Sequence, residues 1–336
     1  MIKSKIILKF LMMLSIVLCT AIFLYGFTKK NNKPPVNIIF DSDIGPDYDD
    51  VVAIAILHAL ADRGEAKILA TIASNKYKGI AAVINVFNTY FHRPEIPIGV
   101  PKGEAVNIPD SQHWTDTLLV KYPHHIQRNE DVPDAVKVYR KILSQQPDHS
   151  VTIVTVGFLT NLNNLLHSQG DEYSPLNGVE LVRKKVKQLV SMVGAFPSGK
   201  EYNLDNDINA SKAVFENWPT RVIFSGFEIG QKIKTGLPIV NNKAIQHSPV
   251  KDVFKISIPL NPEDSLGRMS WDETAVLVAV CGNEPFFNLH TGKIKINDDG
   301  SDSWDDNGKG QFYLKMKEKP EKIASAIDRL MMHQPQ

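Results

Sequence analysis

Several classes of protein are excluded by what this chain of 336 residues contains little of. It has two cysteines, Cys19 and Cys281, too few for a disulfide framework, and we expect Cys281, in an apolar stretch, to be a buried free thiol. Its formal net charge is +1, and no long basic stripe is present, so we expect no nucleic-acid partner. No glycine-rich loop ending in lysine is present, which argues against a nucleotide-phosphate site.

The first 33 residues differ from the rest of the chain. After Lys3 and Lys5, residues 6–27 are apolar apart from Lys9 and a few small polar residues. At about 1.5 Å per residue a helix of this length could cross a hydrocarbon core of about 30 Å, and it also fits a long secretory signal. We therefore expect residues 1–33 to be a signal peptide or an N-terminal membrane anchor plus a linker. The protein would be exported, either periplasmic or attached to a membrane through residues 6–27, with its folded domain outside the cytoplasm.

Beyond the linker, β-branched apolar runs alternate with segments of helical spacing. The pattern predicts strands at Val36–Phe40, Lys67–Ala73, Ile96–Val100, Val151–Val156, Val186–Val193 and Arg221–Ser225, and helices at Asp50–Asp62, Ile80–Phe91, Val132–Ser144, Asn161–His167, Ala210–Asn217 and Glu318–Met332. This alternation favours an α/β fold with an open, mostly parallel central sheet and helices on both faces, as in Rossmann-like proteins. Residues 34–336 are expected to form a single domain.

The first predicted strand leads into the most acidic segment of the chain. Five aspartates occur within ten residues, Asp41-Ser42-Asp43-Ile44-Gly45-Pro46-Asp47-Tyr48-Asp49-Asp50. Five like charges repel one another and are costly to desolvate, so such a cluster usually binds a cation, and carboxylate oxygens suit Ca²⁺ or Mg²⁺. A solvated acidic loop with an aspartate helix cap is the alternative.

Other predicted strands also end in polar residues. In a parallel sheet the carboxyl ends of the strands lie at one edge, where ligands bind. The residues at these ends are Ser74-Asn75, Val156-Gly157 with Thr160-Asn161, and Met192-Val193-Gly194 leading to Glu201-Tyr202-Asn203. An acidic, amide-rich edge with few cations suits a metal and a neutral polyhydroxylated ligand.

These motifs resemble those of the inosine–uridine nucleoside hydrolase family. The acidic segment resembles its N-terminal signature in a longer variant, with Pro46-Asp47-Tyr48 before the Asp-Asp pair. Further similar blocks follow in the family's order, at Thr71–Asn75, Val156–Asn161, Met192–Gly194, Glu201–Asp207 and Ser270-Trp271-Asp272. Two positions depart from the family pattern, Ser74 in place of glycine and Phe158 in place of proline. The loop before Glu201 is also short and lacks an expected asparagine, which leaves recognition of the ribose 5′-hydroxyl undefined.

The resemblance implies hydrolysis of the N-glycosidic bond of a ribonucleoside, a small-molecule partner, by a calcium-bound water. It implies Ca²⁺ ligands at Asp43, Asp50, Asp272 and the main-chain carbonyl of Val156. Asp49 would be the general base, and Asp41 would support the metal loop. Asn75, Glu201 and Asn203 would hydrogen-bond the ribose, and Met192 would line the pocket. A homodimer or homotetramer is the assembly that the resemblance implies.

Trp271 bears on which nucleobase the substrate carries. In pyrimidine-accepting members of the family a histidine is expected immediately before the last metal aspartate. The tryptophan at this position resembles the pattern of the purine-specific members. An indole face can stack on a purine as the bond breaks. Trp114 would be the second face of an aromatic sandwich, and His113 is a candidate acid.

Two other functions remain open from the sequence. A strand that ends in Asp-x-Asp also begins Mg²⁺-dependent phosphatases, although the expected Gly-Thr or Val-Thr continuation is missing here. A non-catalytic nucleoside-binding protein at the cell surface is the second alternative.

Overall fold

The computed structural model describes residues 33–335. The expected signal or anchor, with Cys19 and residues 6–27, lies outside the described residues. From Pro35 onward the chain forms one compact unit. Among the described residues, none of the helices has both the length and the apolar character needed to span a bilayer.

The helices and strands alternate along most of the chain. The strands are β1 (Val36–Ser42), β2 (Ala66–Ala73), β3 (Ile98–Gly99), β4 (Val151–Thr155), β5 (Val186–Ser191), β6 (Ser198–Lys200), β7 (Arg221–Phe224), β8 (Lys234–Thr235), β9 (Arg268–Met269), β10 (Phe287–Ile296), β11 (Ser301–Asp305) and β12 (Gln311–Met316). The α-helices are α1 (Asp49–Asp62), α2 (Ile80–Tyr90), α3 (Trp114–Lys121), α4 (Ala135–Ser144), α5 (Thr160–His167), α6 (Gly178–Lys185), α7 (Tyr202–Asn206), α8 (Ile208–Asn217), α9 (Phe227–Gly230), α10 (Leu237–Asn241), α11 (Pro249–Ser257), α12 (Trp271–Cys281) and α13 (Pro320–Met331).

Ten of these strands form the central sheet, in the order β3-β2-β1-β4-β5-β7-β12-β10-β11-β6. The strands from β3 to β12 in this order run parallel, and β10, β11 and β6 add an antiparallel end. The sequence prediction of a mostly parallel α/β sheet is confirmed. Residues 297–300 connect β10 to β11.

Helices cover both faces of the sheet because the central strands bury both sets of side chains. In β1, Ile38 and Phe40 belong to one apolar cluster and Ile39 to the other, as strand alternation requires. The first cluster contains side chains of α1, α2, α11, α12 and α13, and the second contains side chains of α4, α5, α6 and α8. Helix α1 is buried around most of its circumference, which explains its continuous apolar sequence.

The order of the strands in the sheet determines where the candidate site lies. Strand β1 pairs with β2 on one side and with β4 on the other, so the strand order reverses there. Open α/β sheets bind ligands at such a switch point, outside the carboxyl ends of the strands. The β1–β4 register pairs Asp41 with Thr155, which brings the acidic turn after β1 beside Val156 and Gly157.

Cys281 differs from the expectation of a buried thiol. It is the last residue of α12 and is exposed. The apolar pattern before it belongs to the buried body of α12, and the helix end emerges at the surface.

Candidate active site

The acidic turn joins β1 to α1 and is buried. Asp43, Asp49 and Asp50 are at most 5% exposed. The Ser42 hydroxyl donates to Asp50 Oδ1 over 2.5 Å and accepts from the Ile44 amide over 3.1 Å, which fixes the start of the turn. Burial excludes the alternative of a solvated acidic loop.

Asp272, the second residue of α12, joins these carboxylates from more than 200 positions away. One carboxylate oxygen from each of Asp49, Asp50 and Asp272 lies within 4.8 Å of the others. Asp43 and Val156 line the same cavity. The donors are all oxygens, which fits a hard divalent cation, and the arrangement is compatible with a metal site.

The electrostatics of this cluster also fit a cation. Burial raises the pKa of Asp43, Asp49 and Asp272 well above the usual range, and repulsion among neighbouring carboxylates raises it further. Burial likewise raises the pKa of Asp50 to about 7, although the bond from Ser42 opposes the shift. A bound cation would relieve the cost of ionising these groups.

Gly157 allows the turn after β4 to approach the acidic turn. A Cβ atom on Gly157 would lie 2.4 Å from the Asp43 amide nitrogen and 2.6 Å from Asp43 Oδ1. Only glycine leaves room for this contact, so the two turns form a single cradle.

Asp49 is held at the N-terminus of α12. Its Oδ2 accepts hydrogen bonds from the backbone amides of Trp271, at 3.2 Å, and Asp272, at 3.3 Å. The first amides of a helix have no partner within the helix and favour an anion, so Asp49 completes this helix end. A carboxylate fixed within this acidic cluster is suited to accept a proton from a water.

Asp41 lies behind the cluster and does not line the cavity. It is completely buried and accepts hydrogen bonds from the Tyr139 hydroxyl, at 2.8 Å, and from Asn161 Nδ2, at 3.2 Å. Burial raises the pKa of Asp41 to about 7, against the effect of these bonds. Since Asn161 also donates to the Ala73 carbonyl, Asp41 connects β1, β2, α4 and α5. This position is consistent with a supporting role.

The opposite wall of the cavity comes from the end of β5 and from α7. The Glu201 carboxylate accepts from the amides of Asn203, at 2.8 Å, and Leu204, at 3.1 Å. Asn203 Nδ2 donates to the carbonyls of Val156, at 3.2 Å, and Met192, at 3.1 Å. Burial raises the pKa of Glu201 to about 7, opposed by the backbone amides. The cavity is lined by Glu201, Asn203, Met192 and Val156. The sequence motifs predicted that these residues, at the carboxyl ends of strands, lie close together.

Three residues predicted to bind the substrate do not line this cavity. Asn75 is fully buried, and its amide is bonded to the backbone of Asp43, Tyr77 and Ile108, so it supports the acidic turn. Its contact with a ribose hydroxyl stays a prediction. Trp114 is completely buried in the core, where a large apolar ring gains most from burial, and His113 is exposed beside Asp116. Neither residue lines the cavity, and their contact with a ligand stays a prediction.

Other aromatic residues line the cavity instead. Phe227 is stacked against Trp271 with ring centroids 5.4 Å apart, and the Trp271 indole N–H donates to the Phe227 carbonyl over 2.9 Å. Tyr202 is half exposed at the rim. Sequence reasoning missed both, although Tyr202 stands between two residues of a recognised motif.

Arg268 also lines the cavity, and the sequence did not predict it. It forms an ion pair with Asp47, and its Nη2 lies 3.7 Å from Asp49 Oδ1. A single arginine outside any motif gives no sequence signal. Asp47, which also lines the cavity, has no role assigned from the sequence.

The cavity has a volume of about 240 Å³ and is strongly acidic. Six carboxylates line it, those of Asp43, Asp47, Asp49, Asp50, Glu201 and Asp272, against the one guanidinium of Arg268. A larger surface pocket of about 540 Å³ includes Lys76, Lys102 and Arg128. There, Lys76 and Lys102 bond to backbone carbonyls and Arg128 to Asp131, so that pocket offers no comparable convergence of buried groups.

Solved structures with the same fold include three of interest. Inosine-uridine preferring nucleoside hydrolase from Bacillus anthracis is 15% identical, with a TM-score of 0.68, covering 88% of this chain and 99% of that one. A purine-preferring ribonucleoside hydrolase from Gardnerella vaginalis is 17% identical, with a TM-score of 0.65, covering 88% and 98%. The type III effector protein XopQ, in complex with adenosine diphosphate ribose, is 14% identical, with a TM-score of 0.66, covering 93% and 97%.

No curated protein matches this chain significantly. The family model of the inosine-uridine preferring nucleoside hydrolases matches residues 38–332, nearly the whole described chain. That range includes the acidic turn, Glu201, Asn203 and the start of α12. The chain therefore belongs to the inosine-uridine preferring nucleoside hydrolase family, whose members are N-ribohydrolases.

Proposed function

We propose that this protein hydrolyses the N-glycosidic bond of purine ribonucleosides with the help of Ca²⁺. The observation that carries the proposal is the convergence of Asp49, Asp50 and Asp272 in one buried cluster at the floor of a cavity with an aromatic wall. Asp43, Asp50, Asp272 and the carbonyl of Val156 would hold the ion. When bound, Ca²⁺ supplies the charge that orients a water and lowers its pKa.

In this proposal the other side chains of the cavity have separate tasks. Asp49 accepts the proton of the attacking water, since its carboxylate is already fixed beside the cluster. Glu201 and Asn203 hydrogen-bond the ribose hydroxyls, and Met192 packs beneath the sugar. The surrounding carboxylates stabilise the positive charge that develops on the sugar in an oxocarbenium-like transition state.

The aromatic wall supports the preference for purines. Trp271 is fixed by its hydrogen bond to the Phe227 carbonyl. Its side chain therefore loses little conformational entropy when a base stacks on the ring. The cavity lining contains no histidine that could protonate a pyrimidine. A larger base gains more from stacking than a pyrimidine does.

The charge of the cavity disfavours ligands that carry phosphate. The cavity lining has six carboxylates and one guanidinium, that of Arg268, and a divalent cation would offset only part of the negative charge. We therefore favour a neutral nucleoside over a nucleotide or adenosine diphosphate ribose. The same argument weighs against the phosphatase alternative.

The test is base release from inosine, guanosine, adenosine, uridine and cytidine, with and without a calcium chelator. We expect purine nucleosides to react faster than uridine, and chelation to abolish turnover until Ca²⁺ is restored. Inosine 5′-monophosphate should react far more slowly than inosine, and no phosphate should be released from it. Faster hydrolysis of uridine than of inosine would refute the purine preference, and full activity in chelator would refute the metal's role.

A further inference from the structure

The longer form of the acidic turn contributes Asp47 and Tyr48 to a closed network around Arg268. Arg268 Nη2 pairs with Asp47, and Arg268 Nη1 lies 3.5 Å from Asp264 Oδ2. The Tyr48 hydroxyl donates to the same oxygen of Asp264 over 2.6 Å, and the guanidinium lies 4.9 Å from the centre of the Tyr48 ring. The turn after β1 is thereby tied to the segment that precedes α12.

This network lies against the two residues that the proposed chemistry needs in fixed positions. Arg268 Nη2 is 3.7 Å from Asp49 Oδ1, and the guanidinium is 5.0 Å from the centre of the Trp271 ring. The other oxygen of Asp49, Oδ2, is held by the amides at the start of α12. The two oxygens of Asp49 are therefore held from opposite sides.

Burial and charge indicate that Arg268 serves the protein rather than an anionic ligand. Its side chain is 7% exposed, and that of Asp264 is completely buried. Three carboxylates, of Asp47, Asp49 and Asp264, lie within 4 Å of the guanidinium. A buried guanidinium already matched by three acids has little positive potential left for a phosphate, and its planar fork fixes the geometry of the groups around it.

We propose that Arg268 is a positioning residue that orients the Asp49 carboxylate, with Asp47, Tyr48 and Asp264 as its anchors. The inference rests on the proposed function, in which Asp49 is the general base. It gives Asp47 a role and explains why Pro46-Asp47-Tyr48 lengthens the turn. Without Arg268, Asp49 Oδ1 would lose its neighbouring cation, and only the bonds to Oδ2 would hold the carboxylate, which could then turn about them. Misplacement of a catalytic group by about 1 Å can cost about 100-fold in rate.

The test compares Arg268→Met and Arg268→Lys in the full-length protein with two substrates, inosine and 4-nitrophenyl β-D-ribofuranoside. Nitrophenolate needs no protonation to leave, so its release reports on water attack alone. We expect Arg268→Met to lower kcat about 100-fold on both substrates, with KM changed by less than about threefold, and Arg268→Lys to recover part of the loss. In an Asp49→Asn background, Arg268→Met should cause almost no further loss, because both changes act through one group.

The matched control is Arg140→Met. Arg140 is also a buried arginine, 3% exposed, and pairs with Asp171 over 2.8 Å on the other face of the sheet. Its loss should lower the melting temperature and leave kcat unchanged. An equal loss of kcat in Arg140→Met would show that the Arg268 effect is a general consequence of destabilisation.

The remaining outcomes separate this inference from the proposed function. A loss confined to inosine would assign Arg268 to the leaving base, and a loss confined to KM would assign it to substrate binding; either result overturns the proposal. If the wild-type protein cleaves neither riboside, the proposed function fails. A crystal structure of Arg268→Met then decides the inference alone, because Asp49 Oδ1 should leave its position while Oδ2 stays at the amides of α12, and an unmoved Oδ1 contradicts it.

Discussion

Each aspartate of the acidic turn has a different environment, although the five stand within ten residues. Asp41 is bonded from behind by Tyr139 and Asn161, Asp50 accepts from Ser42, and Asp47 is paired with Arg268. Asp49 combines hydrogen bonds from the first amides of α12 with a place in the cluster of Asp49, Asp50 and Asp272. Its neighbours, not its residue type, make Asp49 the candidate base.

Asp49→Asn should therefore abolish turnover. The amide cannot accept a proton, and general base catalysis contributes about 10²–10⁴-fold, so we expect kcat for inosine to fall by at least about 100-fold. Calcium binding, measured by isothermal titration calorimetry, should be largely retained, since Asp43, Asp50 and Asp272 remain. Asp116→Asn, at an exposed position of α3, is the control and should behave as wild type. Unchanged turnover in Asp49→Asn would refute the proposed mechanism.

Sequence patterns predicted the acidic and amide residues of the site better than its aromatic and cationic residues. Asp43, Asp50, Glu201 and Asn203 belong to dense motifs, and each lines the cavity. Arg268 contacts Asp47 across 221 positions, and nothing in its local sequence indicates that partner. Trp114, predicted to contact the base, is completely buried in the core, since a tryptophan near a motif can pack in the core as readily as against a ligand.

Among the elements, the turn between β4 and α5 is the most constrained by the site. Gly157→Ala would place a methyl group 2.4 Å from the Asp43 amide and 2.5 Å from Ser74 Oγ, so one of the two turns must move. We expect a loss of about 1–3 kcal/mol in the free energy of unfolding, measured by urea denaturation, and weaker calcium binding. Gly103→Ala, with no atom within 4 Å of the added methyl, is the control. Equal calcium affinity in the two variants would contradict the cradle.

The central strands and helix α1 were predictable because they are buried on nearly all sides. Strands β1, β2 and β4 are apolar on both faces, and α1 is apolar nearly all round, so their patterns are continuous. Helix α3 was not predicted because only three of its residues, Trp114, Thr115 and Leu118, are buried. Strands β10 to β12 alternate less regularly at the antiparallel end of the sheet, and tertiary pairing decides their conformation.

For the molecule as a whole, one buried histidine should contribute to acid sensitivity. His58 is completely buried in α1, 3.1 Å from Asn88 Oδ1 and stacked on Phe91. Burial, with Arg93 nearby, lowers the pKa of His58 to about 3. The unfolded chain binds this proton below about pH 6.5 and the folded chain does not until about pH 3, so stability is complete above pH 6.5 and falls as the pH is lowered.

His58→Gln should therefore weaken the acid sensitivity of the fold. Between pH 7.5 and pH 4.5 we expect the wild type to lose about 3 kcal/mol more than this variant in the free energy of unfolding, measured by urea denaturation at both pH values. His247→Gln, at an exposed position, should lose as much as the wild type. An identical pH dependence in His58→Gln and wild type would show that His58 is protonated in the folded state.

The start of α12 has a consequence for how substrate preference can evolve. Trp271 and Asp272 are consecutive residues, and both of their amides bind Asp49. In the proposed mechanism the stacking ring, a metal aspartate and the contacts of the general base thus belong to one peptide segment, so a backbone shift that alters the fit to the nucleobase would also disturb the chemistry. Natural variation in base preference should therefore accumulate at Tyr202 and Phe227, which contact the same ligand space from separate segments, while the backbone at residues 271–272 stays invariant across descendants of this chain.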